Sequence, residues 1–141
     1  MMKGGEVRMG NLETAMKLIE AMNNHDAESM GSLCCEDAEA LEIAEGTPVK
    51  GRRGIVKAYE ELFSAFPDCK ATVKNAFAGN EGALIEVLWE GTNRGEFRGT
   101  PATGRKISLM IAYVLFFKEG KIKEIHEYYD AYTYMKQSGL L

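Results

Sequence analysis

Cysteine, proline and concentrated positive charge are all scarce in this 141-residue chain. Three cysteines do not make a disulfide scaffold, and Cys34 and Cys35 are adjacent in an expected helix, poorly placed to bridge each other. Their odd number, with no apolar signal-type stretch in the opening MMKGGEVRMG, gives an expected cytoplasmic location. No Cys or His spacing resembles a zinc site, so no metal centre is expected. The formal net charge is −4. That argues against a nucleic-acid or anionic-membrane partner, because phosphate binding needs clustered Lys and Arg. The Arg52-Arg53 doublet reads as a solvated helix start. No run approaches 18 apolar residues, so no membrane span is expected.

What is present fits one soluble globular domain: 45% apolar and 27% charged residues. Residues 1–10 read as a flexible lead-in and 11–141 as a single domain. Asn11 is a candidate cap for a first helix, with Leu12, Ala15, Met16, Ile19 and Met22 on its inner face. Asp26 caps a second helix whose stripe includes Met30, Leu33 and Cys34. A short strand pair is expected over 38–44 and 49–50. A third helix is expected over 53–66, with Ile55, Ala58, Tyr59, Leu62 and Phe63 inward and Pro67 as its stop.

From there the pattern is strands: 69–77, 83–97, 106–117 and 121–131, joined by turns at 79–82, 99–104 and 118–120. Helices first and an antiparallel meander last make an α+β domain, with helices packed on one face of the sheet. The run ISLMIAYVLFF (107–117) is apolar on both faces, whereas an antiparallel strand usually has one wet side. The helices cover one face. A second copy of the chain, in a homodimer through the sheet, is expected to cover the other.

A three-residue loop at Glu119-Gly120 would pair Phe117 with Lys121. Counting outward, Val114 then faces Glu124, Ala112 faces His126, Met110 faces Tyr128, and Ser108 faces Asp130, all on one side of the sheet. Asp130 would sit among a hydroxyl, an aromatic and a thioether. Poor hydration there would raise its pKa and make it a usable base. His126 lies four residues away, roughly 13 Å at about 3.3 Å per residue, so only a substrate could bridge the two. Trp89 shares a parity with Asn93, and the two are candidate pocket residues. The glycines at 91, 95, 99 and 104 match no phosphate-loop spacing, and turns and bulges explain them better.

These segments carry a resemblance. HDAE opening the second helix, Phe66-Pro67-Asp68, GTNRGEFRGTPATGR, KEGKIKEIHEYYD and Lys136-Gln137-Ser138-Gly139 together resemble the SnoaL-like polyketide cyclases of the NTF2-like superfamily. The resemblance implies an NTF2-like (cystatin-like) cone, three N-terminal helices on a curved antiparallel sheet, and dimers through that sheet. It also implies acid/base proton transfer without cofactor, in an aldol-type cyclisation or isomerisation, with the carboxylate of YYD, Asp130, moving the proton. His126 is the second candidate catalytic group. Asn93, Trp89, Tyr128, Met110 and Ser108 are the candidate substrate contacts. The family often has His where Asn93 stands, and the Asp130 side offers few polar groups. The second departure points to a small, apolar ligand, and the proton transfer that the resemblance implies requires it to bear a carbonyl. A non-catalytic binding or dimerisation module is the alternative, and an epoxide hydrolase-like activity ranks third.

Overall fold

The computed structural model describes residues 10–141; the expected lead-in lies almost wholly outside them. Four helices and six strands run in the order α1 (Asn11–Asn23), α2 (Ala27–Ser32), β1 (Cys34–Glu42), β2 (Val49–Lys50), α3 (Arg52–Ala65), β3 (Lys70–Ala78), β4 (Gly82–Thr92), β5 (Lys106–Lys118), β6 (Lys121–Tyr128) and α4 (Ala131–Ser138). One curved, open sheet has the order β2-β1-β6-β5-β4-β3. This is the expected α+β, NTF2-like architecture, with two differences. The last eight residues before Gly139 form a fourth helix, and β1 pairs with β6 in parallel, so the sheet is mixed.

The core lies between the concave face and the helices. On β5 the odd residues Ile107, Leu109, Ile111, Tyr113 and Leu115 are buried, and the even ones, Met110 and Phe116 among them, are not. Side chains alternate along a strand, so this one parity fixes which side is the interior. On α1, Ala15, Leu18, Ile19 and Met22 are buried, whereas Leu12 and Met16 lie outside the core. Gly10, not Asn11, is the N-cap. The Asn11 amide instead donates to the Gly79 carbonyl at 2.8 Å, pinning the β3–β4 turn. Asp26 does cap α2, accepting from Ser29 N at 3.0 Å. Cys34 begins a strand rather than extending a helix.

The β5–β6 hairpin closes more tightly than a three-residue loop. Glu119 and Gly120 both have positive φ (52° and 79°), and Lys118 pairs with Lys121. Two such residues suit a type I′ turn, whose twist matches that of the flanking strands. An irregularity between Phe116 and Phe117 then shifts the pairing, so that Val114 faces His126 and Ala112 faces Tyr128. β6 ends there, and Asp130 never pairs with Ser108.

The segment from Asn93 to Arg105 folds back over one end of the sheet. Asn93 is buried and holds it together. Its Oδ1 accepts from Thr103 N (2.8 Å) and Thr103 Oγ1 (3.1 Å), and its Nδ2 donates to Gly95 O (2.8 Å). Arg94 N and Gly95 N donate to Ala65 O at the end of α3. A Cβ on Gly95 would lie 2.8 Å from Ser64 O, so only glycine permits this approach. Beneath the segment, Asp68 accepts from Thr92 N and Thr92 Oγ1 at 2.7 and 2.8 Å, which fastens the turn after α3 to the end of β4.

Asn93→Ala removes the hydrogen bonds that the buried amide makes to Thr103 and Gly95. It is expected to lower unfolding free energy by about 2 kcal/mol. Urea titration checks this, and an unchanged midpoint would contradict the role assigned to the amide.

Candidate functional site

Between α3 and the concave face lies a cavity of about 290 Å³. Its body is apolar: Ile55 and Leu62 from α3, Trp89 from β4, Leu109 and Ile111 from β5, and Ile125 from β6. Phe66 meets Trp89 edge to face at 5.1 Å and Phe97 at 5.5 Å, both at 77°. Rings crossed this way leave flat faces and edges as cavity wall.

The polar groups gather where β1 and β6 run side by side. Glu42 and Glu127 are register partners on these parallel strands, and both line the cavity. Glu127 is in phase with Ile125, and on its other flank it faces Tyr113 of β5. It is enclosed by protein, and the surface it keeps opens onto the cavity. Burial, with the charge of Glu42 added, pushes its carboxyl up to about 7; the Tyr113 hydroxyl and Arg98 pull weakly the other way. Tyr113 is buried and Tyr59 partly so, and desolvation, with the charge of Glu127 next, raises both hydroxyls well above the usual phenol range.

Glu42 goes the opposite way. Burial raises its carboxyl, but hydrogen bonds from Arg98 and Tyr129 outweigh that and hold it below the ordinary value. Arg98 donates to both Glu42 oxygens, at 3.1 and 2.7 Å, and to Glu45 at 2.5 Å; the Tyr129 hydroxyl donates to Glu42 Oε1. Arg98 reaches them from a hairpin tip. Phe97 and Thr100 exchange backbone hydrogen bonds, and Arg98 and Gly99 between them have φ of 50° and 80°. A left-handed arginine costs about 1 kcal/mol or more. The paired carboxylates offset that cost, and the guanidinium also lies 4.6 Å from the Phe97 ring centroid.

One acidic pair in two unlike environments therefore has one member ionised and one near neutrality. This is how a site comes to hold a proton donor or acceptor that works near pH 7.

The residues named from sequence fall in three places. Trp89 lines the cavity. Asn93 organises the segment that carries Phe97 and Arg98, but does not line the cavity itself. Four of the others are on the far side of the sheet. Ser108, Met110, Tyr128 and His126 share the outer parity of β5 and β6. His126 packs on Phe116 at 5.1 Å, with Nε2 3.2 Å from Glu124. Asp130 caps α4, accepting from Tyr132 N (3.1 Å) and Thr133 Oγ1 (2.8 Å). It is exposed, and the Thr133 hydroxyl keeps its carboxyl below the usual range, the reverse of the expected rise. The physical reason is the missed α4. Its first turn needs an acceptor for free N–H groups, and an Asp just before it supplies one.

Glu127, Glu42, Arg98, Tyr59 and Tyr129 were not singled out from sequence. A signal for Glu127 existed: it continues the Ile125 phase and stands opposite Tyr113, on the purely apolar parity of β5. A carboxylate in that phase points into the core. Nothing local marks Glu42 or Arg98, because their meeting depends on the parallel β1–β6 pairing and on a turn 56 residues away.

No curated protein matches the chain. Solved structures do. A candidate SnoaL-like polyketide cyclase from Jannaschia sp. CCS1 superposes with a TM-score of 0.85 at 15% identity, over 100% of this chain and 99% of its own. A candidate polyketide cyclase from Pseudomonas putida KT2440 gives 0.80 at 19% identity, over 92% and 98%. IdmH, a candidate polyketide cyclase from Streptomyces antibioticus, is 28% identical, with a TM-score of 0.74 over 89% and 96%. The first two likenesses speak for the fold alone. The family model of the SnoaL-like polyketide cyclases matches residues 13–138, and the chain belongs to that family.

Proposed function

We propose that the cavity performs acid/base proton transfer, a cyclisation of aldol type or an isomerisation, on a small, apolar, carbonyl-bearing molecule, with Glu127 moving the proton. The observation that carries this reading is the enclosed Glu127 carboxyl, raised to about 7 beside an ionised Glu42. As a carboxylate, Glu127 takes a proton from the carbon next to the carbonyl. The electron pair moves onto the carbonyl oxygen, and a buried hydroxyl such as that of Tyr59 donates to the resulting enolate. In an aldol closure the enolate carbon bonds to a second carbonyl carbon, and the new alkoxide takes its proton from the Glu127 acid. In an isomerisation the same proton returns to a different carbon. The apolar walls exclude water and hold the body of the ligand.

The role expected of Asp130 passes to Glu127 in this reading, because Asp130 is already engaged as a helix cap. A homodimer through the outer sheet face belongs to the same proposal. Met110, Phe116, Leu84 and Tyr128 are exposed apolar residues on strands of one sheet.

Deuterium exchange at the activated carbon of 2-tetralone in D₂O tests the chemistry without the natural substrate. The protein is expected to accelerate exchange, and Glu127→Gln to lose on the order of 10²-fold or more of that gain. Asp130→Asn is expected to keep it. No acceleration, or full activity in Glu127→Gln, would remove Glu127 from the mechanism.

The acceleration should fall as pH drops through about 7, where the base takes its proton. Stability should run the other way. The folded carboxyl binds its proton more tightly than the unfolded one, with its ordinary value of 4.5. Stability from this group is therefore complete below that value and is lost as pH rises through about 7. Glu127→Gln should flatten that slope and raise Tm at pH 8 more than at pH 5. An unchanged slope would contradict the assignment.

Light scattering at micromolar concentration is expected to give twice the chain mass, and Met110→Asp to shift it towards the single chain. A wild-type monomer would overturn the dimer.

A further inference from the structure

We propose that this cavity selects an organic cation, a protonated or quaternary amine on an apolar body, over a neutral or anionic ligand of the same shape. The inference goes beyond the reading above: it rests on the cavity's charge and rings, not on any proton transfer there.

The first observation is a charge imbalance. Among the described residues, Glu42, Glu45, Glu61 and Glu127 line the cavity, against Arg98 as the one cationic lining residue. That guanidinium is committed, bonding to both oxygens of Glu42 and to Glu45. No cation pairs with Glu127 among the described residues, although it is enclosed and opens onto the cavity. Low-dielectric walls focus the field of such a group into the space beside it. A ligand bringing a positive charge would complete a pair that the protein leaves open. A ligand bringing a carboxylate or phosphate would meet repulsion.

The second observation is the lining rings. Tyr59, Phe66, Trp89, Phe97, Tyr129 and Tyr134 all contribute to the wall. Aromatic faces carry negative quadrupole charge and attract a desolvated ammonium, and they also hold its hydrocarbon body. Carboxylates at one end and rings around the rest suit a cation with an apolar body better than an ammonium ion alone.

The preference should depend on pH through Glu127. The titratable and charged groups facing it are Glu42 from β1, Tyr113 from β5, Tyr59 from α3, Tyr129 from its own chain end and Arg98 from the hairpin tip. The tyrosines stay protonated and Arg98 stays charged, so Glu127 is the member that changes near neutrality.

The chain has one tryptophan, and it lies in the cavity wall, so Trp89 fluorescence reports occupancy. The test titrates the whole protein with benzyltrimethylammonium, with its uncharged carbon isostere neopentylbenzene, and with the anion phenylmethanesulfonate. At pH 8 the cation is expected to bind about tenfold or more tighter than the isostere, and the anion weakest. The preference should shrink at least about threefold at pH 5.5, and by a similar factor in Glu127→Gln at pH 8, with far-UV circular dichroism confirming that the variant is folded. Equal or tighter binding of the isostere at pH 8, tightest binding of the anion, or no response of Trp89 to any probe would each overturn the proposal. A lost preference with tetralone exchange intact would remove the ligand class alone. A preference without exchange would remove the catalysis alone.

Discussion

Two carboxylates placed opposite each other on adjacent strands, inside a low-dielectric space, cannot both carry charge cheaply. Glu42 and Glu127 are register partners on β1 and β6, so the sheet itself enforces their meeting. Everything distinctive about the site follows from how that conflict is resolved. Arg98 and Tyr129 hydrogen-bond to Glu42 and fix the charge there. Glu127 is left with burial and a negative neighbour, and its proton becomes harder to remove. A separation of this kind needs the parallel pairing, the closed apolar wall and the arginine together. Any one of them alone would leave an ordinary ion pair or an ordinary surface acid.

Much of the remaining structure serves to bring Arg98 to its place. Asn93 and Gly95 fold the segment after β4 against the end of α3. A turn with two left-handed residues then aims the arginine at β1 and the turn after it. The strain at Arg98 is small beside the charge-assisted hydrogen bonds it secures, which are roughly twice as strong as neutral ones. Strain of this sort is found where geometry serves a site, and the cavity mouth is such a place. The same logic accounts for GTNRGEFRGTPATGR. Its glycines permit close approach and left-handed turns rather than a phosphate cradle.

The sequence was a good guide to architecture and a poor one to the site. Apolar periodicity placed α1, α3 and the long strands to within a few residues, because those elements are defined by what they bury. It misjudged the ends. The alternating pattern runs the last strand on through Asp130, whereas the three residues YYD span a strand end, a cavity residue and a helix cap. Six of the eight residues of α4 are aromatic or polar, and without a strong apolar stripe they give little helical signal. Loop length misleads at the β5–β6 hairpin, yet the resulting shift of two residues in the pairing preserves parity. The assignment of faces failed for a different reason. β5 is apolar on both sides, so nothing in its own pattern contradicts a functional face set by Asp130 and the resemblance. In a cone whose cavity is part of the core, the functional carboxylate lies on the greasier side. Glu42 and Arg98 could not be paired from sequence, since their contact depends on a parallel strand neighbour and a distant turn.

The central claim concerns one carboxyl group, and side-chain carboxyl NMR measures it without a substrate. With ¹³C-labelled glutamate, the titration assigned through Glu127→Gln should show a midpoint near 7 for wild type, with Glu42 still ionised well below that. The two midpoints describe the coupled pair, and their separation is the quantity that matters. If the signal lost in Glu127→Gln instead titrates in the ordinary glutamate range, the two acids are not held apart, and the account of this cavity as a proton-transfer site fails.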